Sequence, residues 1–257
     1  MGRVRLPVSE MEVMLQQLTG AEDILLLEAS AHDITLDLIA RLASPVNGST
    51  VEWSALCVTD LDALLLLLRE MIFGDLIRTD IVCPAENCGK RIDIFFYIRE
   101  YLAHHRPRMA RGVEVADEAG WFRLRSTPVS FRLPTGADQV AVAKTPKPER
   151  ELIQRCIQPA NISAYLLKRV ETAMETLAPS LSHDLQGQCH ECGMAVDMYF
   201  DVQQYVLSEL RHQATFIYED VHLLAMHYHW SQAEILSLPH SRRAHYMEML
   251  QQERSRV

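Results

Sequence analysis

Two stretches of this chain repeat each other, and each opens on a cysteine pair. The first runs Cys88-Gly-Lys-Arg-Ile-Asp93-Ile-Phe-Phe96-Tyr-Ile-Arg-Glu-Tyr101. The second runs Cys192-Gly-Met-Ala-Val-Asp197-Met-Tyr-Phe200-Asp-Val-Gln-Gln-Tyr205. A constant offset of 104 positions carries Cys88, Asp93, Phe96 and Tyr101 onto Cys192, Asp197, Phe200 and Tyr205. Between them Ile92/Val196, Ile94/Met198, Phe95/Tyr199 and Ile98/Val202 stay apolar. Each copy has a second cysteine just upstream, Cys83 or Cys189. Zinc takes four soft ligands in a tetrahedron, and two short cysteine turns supply two thiolates each. The expected arrangement is one four-cysteine zinc site formed by Cys83, Cys88, Cys189 and Cys192 and shared by two halves of one fold.

The spacings suit that chemistry. Cys189-His-Glu-Cys192 has the two-residue gap of a zinc knuckle, and Cys83-Pro-Ala-Glu-Asn-Cys88 has four, still inside the usual range. Four alternatives stand beside it, one of them a zinc site lost through divergence, against which all four thiols are present. A redox pair normally sits at a helix N-terminus, whereas a strand pattern follows each pair here. Two separate sites would need further ligands, and only His183 and His190 are close in sequence. Buried unligated thiols are the fourth. Closing a loop of about 100 residues costs roughly 4 kcal/mol, and structural zinc contributes on the order of 10–16 kcal/mol in small peptides. A shared ion can therefore offset the closure. Four protein ligands leave no position for water, so its role would be structural. Cys57 and Cys156 lack partners at ligand spacing and read as buried thiols.

The surrounding pattern is α+β and mostly helical, with short strands and helices in two pseudo-repeated halves, each carrying a knuckle. Residues 1–54 read as an N-terminal helical segment, with a capping box at Thr19–Glu22 and helical spacing from Asp33 to Ala43. Residues 55–143 form the first half: a helix capped by Thr59–Asp62 and running to about Phe73, the first knuckle, and a β-rich insert over 112–133. Lys144-Thr-Pro-Lys-Pro148 reads as a linker. Residues 149–214 form the second half, with helices near Glu149–Ile157 and Ser163–Leu177, a strand at Ala195–Phe200 and a helix capped by Asp201. Residues 215–257 read as a C-terminal helical hairpin, with a capping box at Ser231–Glu234 and a break at Pro239.

The chain has 257 residues, 48% hydrophobic and 23% charged, the profile of a globular protein. A net charge of −9 argues against nucleic-acid binding, which needs a basic surface. The start, MGRVRLPVSEM, has no apolar stretch of signal-peptide length, and Leu6 occupies the position where a myristoylation site wants Ser or Thr. The apolar run Ala63–Leu68 is too short to cross a bilayer. Clustered thiols in such a chain fit a reducing compartment. No nucleophile elbow, phosphate loop, dinucleotide fingerprint or HExxH motif occurs. His222, His227 and His229 lie close together and His104 adjoins His105, but neither spacing stacks ligands on one helix face. The Asp93/Asp197 pair reads equally well as solvent-facing strand carboxylates.

Three runs carry a family resemblance. They are Asp62-Ala-Leu-Leu-Leu through Arg69-Glu and Phe73-Gly-Asp75 to Cys83-Pro; Phe131-Arg-Leu-Pro-Thr-Gly-Ala-Asp138; and His222-Leu-Leu-Ala, Tyr228-His-Trp-Ser231-Gln-Ala-Glu-Ile-Leu, Leu238-Pro, Arg242-Arg and Tyr246. The chain resembles the phage-type contractile-tail baseplate family of T-even-like myophages and extracellular contractile injection systems. The resemblance spans residue 55 onward, with the first fifty residues looser. The four-residue gap in the first knuckle departs from the family's shorter CPxCG form. The resemblance implies a non-enzymatic baseplate subunit or assembly factor, resident in a virion or injection-system baseplate and in the bacterial cytoplasm during assembly. The implied partners are other baseplate and tail proteins, in several copies, with no small-molecule substrate; the alternative readings are an assembly chaperone absent from the mature particle and a zinc-ribbon regulator that binds nucleic acid. Ile217, Val221, Leu224, Ile235, Leu238, Tyr246, Met247 and Leu250 could then serve either docking or the tail's own core.

Overall fold

The computed structural model describes residues 2–28 and 34–254. Within them helices outweigh strands, the sheets are small, and every strand pairing is antiparallel. The N-terminal third opens on a sheet where helix was expected: β1 (Gly2–Arg5), β2 (Glu12–Leu15) and β3 (Ala43–Pro45), in that order. Alternation is the cause. Val13 and Leu15 turn into the core while Glu12 faces out to pair with Arg3. α1 (Gly20–Glu28) and α2 (Ile34–Leu42) lie between β2 and β3. The Thr19 hydroxyl and N–H both donate to Glu22, at 2.7 and 2.9 Å, so Glu22 caps α1 as the sequence suggests. Asp33, placed at the start of a helix by its spacing, lies outside the described residues.

α3 (Val58–Phe73) is the central element. Leu61, Leu64, Leu65, Leu66 and Leu68 are each at most 2% exposed, so the helix is enclosed nearly all round. It starts earlier than its expected cap: Cys57 is the N-cap and offers no side-chain bond. Thr59, Asp60 and Asp62 are buried and hold other segments instead. Thr59 donates to the Pro179 carbonyl (3.1 Å), and Asp60 accepts from the N–H groups of Val8 and Ser9 (2.8 and 2.9 Å). At the far end Arg69 donates to the Gly74 carbonyl and pairs with Glu209 at 2.8 Å, tying the end of α3 to α8 (Val202–Ala214).

Two hairpins leave this centre. β4 (Leu76–Val82) pairs with β5 (Arg91–Tyr97), and α4 (Ile98–His104) follows. β10 (His183–Gln188) pairs with β11 (Ala195–Phe200), and α8 follows. One hydrophobic core gathers β2, α1, α2, α3, Ile77 of β4, Ile98 and Tyr101 of α4, Phe200 of β11 and α8. Both hairpins are therefore rooted in the same packed body.

Between the hairpins in sequence lies a satellite layer. β6 (Val113–Val115), β7 (Trp121–Leu124), β8 (Ser130–Arg132) and β9 (Ile157–Gln158) form one sheet in sequence order. Phe131, Cys156 and Ile157 pack there against Val170, Ala173, Met174 and Leu177 of α7 (Ala164–Leu177). The 112–133 strands appear as their alternation predicts. Ile157, expected inside a helix, is taken by β9, because α6 (Pro148–Arg155) stops short of it. α5 (Gly136–Val142) carries a complete capping box between Thr135 and Asp138. It lies close on α3, since a Cβ at Gly136 would stand 2.7 Å from Leu61 Cδ1.

The tail comprises α9 (Ile217–Tyr228), α10 (Gln232–Leu236) and α11 (His240–Arg254), with the expected capping box at Ser231 and Glu234. Its apolar residues divide: Tyr218, Met226 and Met249 are exposed, and most of the rest turn inward. Ile217, Leu224, Ile235, Met247 and Leu250 are all buried. Arg243, which adjoins Arg242 in sequence, is 1% exposed. It pairs with Asp23 of α1 and, at 2.9 Å, with Asp220 of α9.

Candidate metal centre

The tips of the two hairpins meet. Cys83 directly follows β4, Cys88 precedes β5, and Cys189 and Cys192 occupy the turn between β10 and β11. All four sulfurs lie within 4.8 Å of one another. Pairing is crossed: Cys83 Sγ is 3.6 Å from Cys192 Sγ, and Cys88 Sγ is 3.8 Å from Cys189 Sγ. Four thiolates at about 2.3 Å from a tetrahedral ion stand about 3.8 Å apart, so these separations suit a metal centre. They are far too long for disulfides, and all four cysteines are free.

Local backbone geometry explains how such different loops converge. Gly89 and Gly193 follow the second cysteine of each pair and adopt positive φ, +56° and +72°, a conformation other residues enter only with strain. The N–H of Cys83 bonds to the Lys90 carbonyl (2.8 Å) and that of Cys189 to the Met194 carbonyl (2.9 Å), closing each turn across its own strand pair. Beneath the sulfurs Ile92 and Val196, related by the 104-position offset, pack together with Cys83 and Cys189. Cys83 and Cys189 are buried, Cys88 is half-buried and Cys192 is exposed.

Backbone N–H groups, burial and the neighbouring sulfurs set the electrostatics of Cys83, Cys88 and Cys189. The backbone N–H groups of Cys192 and Glu191 point at Cys189 and hold its thiol down to about 7. The Ala85 N–H acts likewise on Cys83, but burial and the three neighbouring sulfurs outweigh it and push that thiol up to about 12. Four thiolates cannot coexist at this spacing without a cation among them.

The other residues singled out by sequence are placed elsewhere. Asp93 and Asp197 are exposed on the outer faces, opposite Asp80 and Gln186. Cys156 is buried beside Asp138, its Sγ 3.8 Å from Oδ2, and burial pushes its thiol up to about 11. His227 bonds through Nδ1 to the Leu223 carbonyl, and His229 ends α9 in the left-handed conformation. Among the described residues the four cysteines are the single group of three or more metal-binding side chains. His183 faces His105 and is not part of it. Strands β4 and β10, which complete the hairpins, escaped the sequence reading. In β4 only Ile77 and Ile81 are strongly apolar on the face opposite Arg78 and Asp80, too few to show a period, and β10 has little apolar content.

A family model described as "T4 bacteriophage base plate protein" matches residues 2–163. The chain belongs to the T4 bacteriophage baseplate protein family. The match takes in the first fifty residues, where the resemblance is looser, and extends to residue 163. It includes Cys83 and Cys88 but ends ahead of Cys189 and Cys192. Neither curated proteins nor solved structures yield a significant match. Membership implies a virion-associated protein that interacts with other baseplate or tail proteins. No helix among the described residues is long and apolar enough to cross a membrane.

Proposed function

We propose that this chain is a structural subunit or assembly factor of a contractile-tail baseplate, made rigid by one zinc ion bound to Cys83, Cys88, Cys189 and Cys192. The convergence of four sulfurs from two sequence-repeated hairpins carries the metal reading, and family membership carries the baseplate reading. In this account residues 55–143 and 149–214 are pseudo-repeated halves, each contributing one knuckle to a shared tetrahedral site. Thiolate ligands and a closed coordination sphere favour zinc in a structural role. The chain acts by docking onto other baseplate proteins and catalyses nothing. Docking surface is offered by exposed apolar residues on the outer hairpin faces, where Phe95 and Tyr199 are 68% and 62% exposed, and on the tail, where Tyr218 and Met226 are 53% and 55% exposed.

Quantitative mass spectrometry of purified particles and of assembly intermediates tests the role. Stoichiometric chain in finished tails identifies a subunit, and presence in intermediates alone identifies an assembly factor. Absence from both overturns the proposal.

A further inference from the structure

A second pair of ligand-type side chains meets outside the cysteine cluster. His105, just past the end of α4, and His183, at the start of β10, bring their Nε2 atoms to 3.0 Å across 78 positions of sequence. Each ring engages a backbone carbonyl through its other nitrogen: His105 Nδ1 is 2.8 Å from the Tyr101 oxygen and His183 Nδ1 is 3.0 Å from the Asp184 oxygen. A carbonyl can only accept, so both Nδ1 atoms carry the proton. In the neutral rings both Nε2 atoms then present lone pairs. Two lone pairs at this distance repel unless a metal ion or the proton of an imidazolium lies between them. Burial holds His105 below the ordinary imidazole range, so its Nε2 is the lone-pair-bearing partner in this contact.

An Nδ1–H fixed on a backbone carbonyl with Nε2 left free is the usual orientation of a metal-binding histidine. Both rings have it. At metal–nitrogen bonds of about 2.0–2.1 Å, two imidazoles set at a right angle place their nitrogens about 2.9 Å apart, and a tetrahedral pair about 3.4 Å apart. The observed 3.0 Å fits the right-angled pair, the geometry of square-planar or octahedral ions such as Cu2+ and Ni2+, for which imidazole is a suitable ligand. Neighbouring groups hold the rings in place. The Tyr101 ring stacks on His183 at 5.7 Å and 14°, and the Tyr101 hydroxyl is anchored to the Leu181 carbonyl at 2.6 Å. Glu175 interacts electrostatically with His183 and adds negative charge. His104, exposed, lies with its ring 5.1 Å from that of His105.

We propose that His105 and His183 form a second metal site, a bis-imidazole site for a divalent ion of the Ni2+ or Cu2+ type, with water completing the coordination. It would staple the end of the helix after the first hairpin to the opening strand of the second. The site stands independently of the zinc reading, because it shares no ligand with the cysteine cluster.

The test is calorimetric titration of the full chain with Ni2+, in the presence of one equivalent of zinc, together with proton NMR. One saturable equivalent of Ni2+ is expected, with two strongly shifted imidazole N–H signals, one per ring. His105→Gln and His183→Gln should each abolish it, and His227→Gln should leave it intact. Absence of saturable Ni2+ binding to the wild-type chain, or its persistence in both His105→Gln and His183→Gln, would overturn the proposal. Failure of the cysteine account would appear separately, as absence of zinc.

Discussion

Cys83 and Cys192 lie 109 positions apart in sequence, yet their sulfurs stand 3.6 Å from one another at the meeting point of two hairpins. Both hairpins are rooted in one core, so the metal proposed here would lock together tips whose bases are already packed.

Replacing Cys88 or Cys192 with Ser should release the metal and lower solubility together. Structural zinc is worth on the order of 10 kcal/mol or more, comparable to the whole stability of a typical domain, about 5–15 kcal/mol. The paired hairpin tips should then separate, exposing Ile92 and Val196, which are buried in the native fold. Metal content and dye binding to exposed apolar surface, read on the same samples, check this. Full metal occupancy in the Cys88→Ser/Cys192→Ser double variant would refute the ligand assignment.

Arg243 secures the tail. Its guanidinium is buried between Asp23 and Asp220, so Arg243→Met would leave a buried and a half-buried carboxylate uncompensated. Loss of one partner from a buried ion pair costs about 3–5 kcal/mol. Limited proteolysis should then cleave near α9–α11 well before the rest of the chain. Gly20→Ala should act in the same direction, because a Cβ there would meet Leu236 Cδ2 at 2.7 Å and the Leu236 backbone at 3.0 Å. Unchanged proteolysis in both variants would show that these contacts do not hold the tail.

Asp62 gives stability a pH dependence. Burial pushes its carboxyl up to about 7, with the Gln203 amide (2.8 Å) only partly opposing. The folded state therefore holds a proton that the unfolded chain releases near pH 4, and stability falls as pH rises from about 4 to 7. Above that window the penalty is constant, at most about 4 kcal/mol for a shift of some three units. Asp62→Asn should flatten urea-unfolding stability between pH 5 and 8 and raise it at pH 8. Asp138 does not interfere there. Burial raises its pKa, but Arg132, Thr135 and Arg155 outweigh burial and hold it well below the carboxylate range, so its contribution is lost only in stronger acid. Equal pH slopes for Asp62→Asn and wild type would contradict the assignment.

The most legible features were those fixed by local chemistry. Asp201, and Ser231 with Glu234, cap helices where the sequence places caps. Strand β11 begins and ends where expected, at Ala195 and Phe200. The cysteine convergence was readable because the repeat preserves a whole pattern, from Cys88 to Tyr101 and from Cys192 to Tyr205. What escaped depends on distant partners. β1–β3 are too short to show a period, and Asp60, a cap by its position, serves Val8 and Ser9 across 52 and 51 positions. His105 and His183 belong to different elements that only tertiary packing brings together. Arg243 looks like a surface charge in sequence and becomes a buried tie once α1 and α9 surround it.

The most direct test is elemental analysis of the purified full-length chain, run alongside thiol titration under native conditions. The account predicts one zinc per chain, released as Cys83, Cys88, Cys189 and Cys192 are modified and not by modification of Cys57 or Cys156. A metal-free chain with its native fold and with those four thiols freely reactive would contradict it.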